Sequence, residues 1–226
     1  MEPRPVDYER LRELLSAERL GSYLTASDGE LEQAFALYEW NIEAAAAALS
    51  LTAMVEVVVR NALDSQMTSW AAGRPTADWL ATAPLDGRGR ADILKAKERA
   101  ARGGRQVTHG HIVAELNLGF WRYLVSRRYY ASLWVPNLRH AFPRTDAPAN
   151  QHRRRVESDL EQLLYLRNRA AHHEPIHRRD LMADLERAIA LLACIDPEAA
   201  RWCRQRETVS AVALRRPARR RDREDQ

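Results

Sequence analysis

The sequence predicts an all-α fold, and three observations carry that expectation. Apolar residues recur at helical spacing through most of the 226 positions, as amphipathic helices require. Period-two alternation of β-branched and aromatic residues is nearly absent. Third, Gly and Pro gather between these apolar runs, where they punctuate helices. Apolar residues make up 46% and charged residues 29%, a balance that suits a folded globular chain and argues against global disorder.

Asp7 is placed to cap a first helix through about Leu20, with Gly21 and the polar turn to Asp28 ending it. Ser27 and Glu30 have capping-box spacing for a second helix carrying Leu31, Phe35, Leu37 and Tyr38, and Asn41 is positioned to cap the next. From Ile42 to about Trp70 no Gly or Pro intervenes. Val55 to Val59 resembles a strand in isolation, but the flanking helix formers decide for a buried helix. A loop-rich connection punctuated by Gly73, Pro75, Pro84, Gly87 and Gly89 follows, pinned to the core by Trp79 and Leu80, then a short polar helix from Asp92 to about Arg102.

Thr108 can cap a helix whose Ile112, Leu116, Phe120 and Leu124 repeat every four residues. After a second irregular stretch around Pro136, Pro143 and Pro148, a long helix is expected from roughly Gln151 to Ala171, stopping near His172 or His173 because Glu174 precedes Pro175. The last core helix spans about Arg179 to Ile195, with a final helical turn from Pro197 to Trp202. The expectation is one domain over residues 1–203 and a basic, disordered tail over 204–226, where charge is dense and apolar periodicity ends.

The formal charge of +4 is modest and concentrated in the last twenty residues, so charge alone does not establish nucleic-acid binding. No run approaches the ~20 uninterrupted apolar residues of a membrane span, and the first residues are charged where a signal peptide is apolar, so a cytoplasmic address without a membrane partner is expected. Cys194 and Cys203 are read as reduced and structural. His109 and His111 lack a carboxylate or thiol cluster in sequence and are read as surface histidines rather than metal ligands.

The string LRNRAAHHEP, Leu166 to Pro175, gathers two arginines, an asparagine, two histidines and a glutamate at the end of a leucine-rich helix. These types suit RNA cleavage without a metal. Histidine exchanges protons near neutral pH, whereas arginine stays charged and grips two phosphate oxygens. Arg167 fits the phosphate clamp, His172 the proton transfer, and Asn168 an orienting role; His173 is the reserve. Arg167 and His172 stand about 140° apart on an ideal helix, so Arg169 is the better match for His172 or His173. The bland reading is that cations here serve the helix dipole and cap carbonyls. Glu56 and Arg60, four apart among valines, suit either a structural ion pair or, with Asn61, the lining of an RNA cleft.

Arg167, Asn168 and His172 form an R-N-x-x-x-H string that resembles the motif of HEPN domains, and the doubled histidine of NRAAHHE resembles their Abi-like (abortive infection) branch. Two further segments, LYEWNIEAAAAALSLTAMVEVVVRNAL over residues 37–63 and LNLGFWRYLVSRRYYASLWVPNLRHAFP over 116–143, are similar to that branch, so the resemblance spans about 28–195. It implies a HEPN-like helical bundle with additional helices, whose motif lies near a groove usually completed by dimerisation. It also implies a metal-independent endoribonuclease without cofactors, a toxin or abortive-infection effector in phage defence, with RNA, a second copy and an antitoxin of protein or RNA as partners. In that reading Arg167 and His172 are catalytic, while Asn168, His173, Arg169, Glu56, Arg60 and Asn61 support them or bind RNA. The alternative is a non-catalytic HEPN module that binds RNA or a protein.

Overall fold

A computed structural model describes residues 6–104, 106–145 and 147–218. Helices dominate, and no strand occurs among the described residues. In chain order the α-helices are α1 (Tyr8–Leu15), α2 (Ala17–Ala26), α3 (Leu31–Ala72), α4 (Trp79–Thr82), α5 (Gly87–Ala100), α6 (His109–Glu115), α7 (Leu118–Leu124), α8 (Ala149–Ala171), α9 (Leu181–Ile195), α10 (Pro197–Arg206) and α11 (Val209–Leu214). Short 3-10 and π turns fill Arg127–Ala141.

The chain divides into two compact units. The first takes Met1–Ser50, Leu166–Ala183 and Glu207–Gln226; the second takes Leu51–Tyr165 and Asp184–Arg206. Each joins segments far apart in the chain, which spacing along the sequence does not reveal.

In the first unit Tyr8 stacks on Phe35 with ring centroids 4.7 Å apart, and Tyr23 meets Tyr38 edge-on at 5.3 Å. Tyr23 is fully buried, and that burial pushes its hydroxyl up to about 12. The expected first helix is split at Ser16, whose φ of 75° breaks the helix while its hydroxyl caps α2 by accepting from the Arg19 N–H. Gly21 lies inside α2, which runs on to Ala26. Ser27 caps the end of α2 rather than the start of the next helix. Asn41 is not a cap either: α3 runs through it, and its buried side chain accepts a hydrogen bond from the Ile176 N–H at 2.8 Å.

The tail is the largest correction. From Arg204 the chain stays helical to Arg206, and α11 follows with Val209 and Val212 buried. The indole N–H of Trp40 donates to the Val212 carbonyl at 2.8 Å. Two valines three apart suffice to pin one helical turn, too short a pattern to stand out from the surrounding charge. The remainder of the tail expectation, from residue 219, lies outside the described residues.

In the second unit α3 places Leu51, Val55, Val59, Leu63 and Met67 on one fully buried stripe. Their four-residue interval makes this a core face, and each such side chain contributes roughly 1.5–3 kcal/mol when removed from water. By length and composition α3 is apolar enough to cross a membrane, but this stripe is buried within protein. Trp79, fully buried as expected, donates its indole N–H to Asp64 at 2.7 Å, and His109 bonds the same carboxylate oxygen at 2.8 Å. Thr108 caps α6 as expected, with His111 completing the capping box. The anticipated long helix from Thr108 is interrupted at Asn117, whose side chain accepts from the Phe120 N–H and starts α7.

Gly87 and Gly89 begin α5 instead of forming a loop, because Asp86 caps it. Asp86 accepts from the Gly89 N–H at 3.0 Å, from the Tyr123 hydroxyl at 2.6 Å and from the Tyr129 hydroxyl at 2.9 Å, with Arg128 3.1 Å away. The Gly89 amide first, then Tyr123, holds this carboxyl at about 2. Depressed in the folded state, it stabilises the fold above the ordinary carboxylate value near 4. That contribution is lost as pH falls toward 2. Asp86→Asn, which can keep the cap but not the charge, is expected to lower the melting temperature at pH 7. The gap from wild type is expected to narrow between about pH 4 and 2 in melting curves taken across that range.

Candidate functional site

Helix α8 carries a buried face into the motif: Leu166 and Ala170 are buried, one turn apart. That pair fixes the outward directions of the residues between them. Arg167 is half-buried at the edge, Asn168 is exposed, and Arg169 is half-buried on the other edge. His172 follows Asn168 by four residues, on the same exposed stripe, and its N–H still bonds the Asn168 carbonyl at 3.0 Å. The helix therefore remains regular through the His172 backbone.

It stops one residue later. His173 has φ of 56°, in the left-handed region that few residues other than Gly, Asn, Asp and His adopt. Its N–H bonds the Ala170 carbonyl at 3.2 Å, and the Glu174 N–H reaches back to the Arg169 carbonyl at 2.8 Å. This pair of bonds is a Schellman motif, with His173 in the position usually taken by Gly. The end near His172 or His173 expected from Pro175 is where the helix stops.

Three side chains hold the turn in place. Arg19 of α2 donates to the His173 carbonyl, Arg169 donates twice to the Pro175 carbonyl at 3.2 and 2.8 Å, and Asn41 receives the Ile176 N–H. Arg169 also pairs with Glu174 at 3.3 Å. Arg169 is thus engaged with the loop that follows the helix, which gives it a structural task. His173 is exposed, and its backbone makes the turn.

Arg167 differs. Its guanidinium donates to the Asn168 side-chain oxygen at 3.3 Å, and among the described ion pairs none includes it. Asn168 consequently links Arg167 at the helix edge to the stripe that carries His172. Arg167, Asn168 and His172 form one solvent-facing group, with the cation and the imidazole separated by about 140° of helix rotation. Such a group can hold an anion and exchange a proton, but in one copy its two ends diverge.

Glu56, Arg60 and Asn61 belong to the second unit, on α3. Glu56 and Arg60 are half-buried, and Asn61 is exposed. The buried Arg60 Nε lacks a hydrogen-bond partner among the described residues.

No family model, curated protein or solved structure matches this chain. Sequence reasoning missed Arg19 and the loop role of Asn41. The Arg19 contact spans 154 positions, so no local pattern announces it.

The turn yields a direct test. His173→Gly relieves the left-handed strain and is expected to stabilise the protein by about 0.5–1 kcal/mol, whereas His173→Ala should stabilise nothing. Chemical denaturation of both variants checks this.

Proposed function

We propose that this chain is a metal-independent endoribonuclease of the HEPN type, acting as a toxin or abortive-infection effector in phage defence. The observation that carries the reading is the group of half-buried Arg167 and exposed Asn168 and His172, with Arg167 outside the described ion pairs while neighbouring Arg169 is tied to Glu174 and Pro175. The resemblance of the R-N-x-x-x-H string and of residues 37–63 and 116–143 to Abi-like proteins supports it. A homodimer answers the divergence of the two ends, since a second copy can supply the missing partner across a shared cleft.

In this mechanism an imidazole of His172 takes the proton of a ribose 2′-OH as that oxygen attacks the adjacent phosphorus. Arg167 grips the non-bridging oxygens, whose charge grows in the phosphorane. The bond to the 5′-oxygen breaks, and the leaving oxygen takes a proton from the protonated His172 of the second copy. The products are a 2′,3′-cyclic phosphate and a 5′-OH. Asn168 orients Arg167. Glu56, Arg60 and Asn61, on the second unit, contact RNA in this proposal, and a protein or RNA antitoxin would act by covering the end of α8.

A second reading has its own support. The Schellman turn gives Arg169 and His173 structural work, which a non-catalytic HEPN module binding RNA or a protein would also need. Cleavage rates in EDTA separate the two. His172→Ala is expected to lose about 10²–10⁴-fold in rate, the usual worth of a general acid or base, with little change in melting because the residue is exposed. Arg167→Ala should lose about 10²–10³-fold, and Arg167→Lys should recover little of it because a point charge lacks the planar fork. Full activity in folded His172→Ala and Arg167→Ala would leave the non-catalytic module as the reading.

A further inference from the structure

The first unit contains a second cationic feature, assembled from parts the sequence places far apart. Around a cleft of about 320 Å³ stand Trp40 of α3, the segment Arg178, Arg179, Asp180 and Met182 at the start of α9, and Arg216 just after α11. Three of these six side chains are guanidinium groups and one is a carboxylate. The Asp180 carboxylate keeps its charge while its Oδ1 accepts from the Ala183 N–H at 2.9 Å as the cap of α9, so three cations face one anion.

The two arginines that end α11 are used differently. Arg215 pairs with Glu43 at 3.0 Å, so its charge is compensated. Arg216 instead lies over the face of Trp40, its Cζ 5.6 Å from the ring centroid. A cation–π contact orients a guanidinium without neutralising it and leaves its N–H donors available. Among the described ion pairs none includes Arg216 or Arg178, and Arg178 is exposed. The cleft therefore holds an excess of positive charge on at least one oriented fork. Met182, also exposed, adds an apolar wall of the kind that a ribose or base can rest against.

We propose that this cleft binds a phosphodiester group of single-stranded RNA, gripped by Arg178 and Arg216. Two guanidinium forks match the paired oxygens of a phosphate better than they match a lone carboxylate or halide. The choice of RNA over another phosphate carrier rests on the proposed nuclease reading; the phosphate chemistry does not. Trp40 then has two tasks, holding α11 through its indole N–H and presenting Arg216 through its ring.

The test uses the full chain and a 2′-O-methyl oligoribonucleotide, which lacks the attacking hydroxyl, so binding is read independently of cleavage. Arg178→Ala and Arg216→Ala are each expected to weaken its binding about tenfold, the scale of one charge-assisted hydrogen-bonding group. Each should also reduce the salt slope of log affinity by about 0.7, the value for one phosphate contact on a single strand. Arg215→Ala, whose partner is Glu43, should change both much less. Inorganic pyrophosphate forms the second arm and should compete weakly with the oligonucleotide. Unchanged affinity and slope in folded Arg178→Ala and Arg216→Ala overturn the proposal. So does an equal loss in Arg215→Ala, which would mean diffuse charge, and so does tight pyrophosphate binding with no effect on the oligonucleotide, which would mean a small-molecule site. If cleavage of ordinary RNA is never seen but these binding losses are, the cleft stands and the nuclease reading falls.

Discussion

The left-handed turn at His173 is the constraint on which the candidate site depends. Had α8 continued past Ala171, the 6→1 bond from the Glu174 N–H to the Arg169 carbonyl would not form, and Pro175 would fall inside a helix where its ring clashes. Ending the helix there sends the chain back toward α2 and α3, where Arg19 and Asn41 receive it. Local propensity and tertiary hydrogen bonds agree on the same break. The outcome for chemistry is specific: His172 is the last residue with a regular helical hydrogen bond, so its direction is set by α8 and not by a mobile loop.

This turn also sorts the six charged or polar residues of the motif. Arg169 and Glu174 pair with each other, and Arg169 further satisfies the Pro175 carbonyl. Backbone carbonyls past a helix end need such donors, so these residues have sufficient structural cause. Arg167, Asn168 and His172 have none of comparable weight. What remains after structural demand is met is a phosphate-sized cation and an imidazole on one exposed stretch, and that remainder motivates the proposed cleavage.

Much of the helical architecture was legible because it is written in periodicity. The stripe Leu51, Val55, Val59, Leu63 and Met67 and the buried positions Leu160, Leu163 and Leu166 are repeated signals, and both lie in long helices as expected. Breaks were less legible. Asn41 and Asn117 are the same residue type, yet Asn117 caps the start of α7 whereas Asn41 sits within α3 and accepts the Ile176 N–H from a distant segment. Ser16 changes helix direction through backbone dihedrals that no apolar pattern encodes. The helix α11 is hidden in the sequence because it is held by two valines and by a carbonyl that meets Trp40 across 172 positions. At the site, the crowding of Arg167 to Glu174 was visible in the sequence, but the division of labour between Arg167 and Arg169 was not; it follows from where the chain turns.

The ends left on cut RNA report most directly on the chemistry at the end of α8. Purified protein incubated with single-stranded RNA in EDTA, with the products resolved by mass spectrometry, is predicted to yield 2′,3′-cyclic phosphate and 5′-OH termini, because the attacking group is the neighbouring ribose hydroxyl. Fragments ending in 3′-OH and 5′-phosphate, or intact RNA after prolonged incubation with the folded protein, would contradict the account.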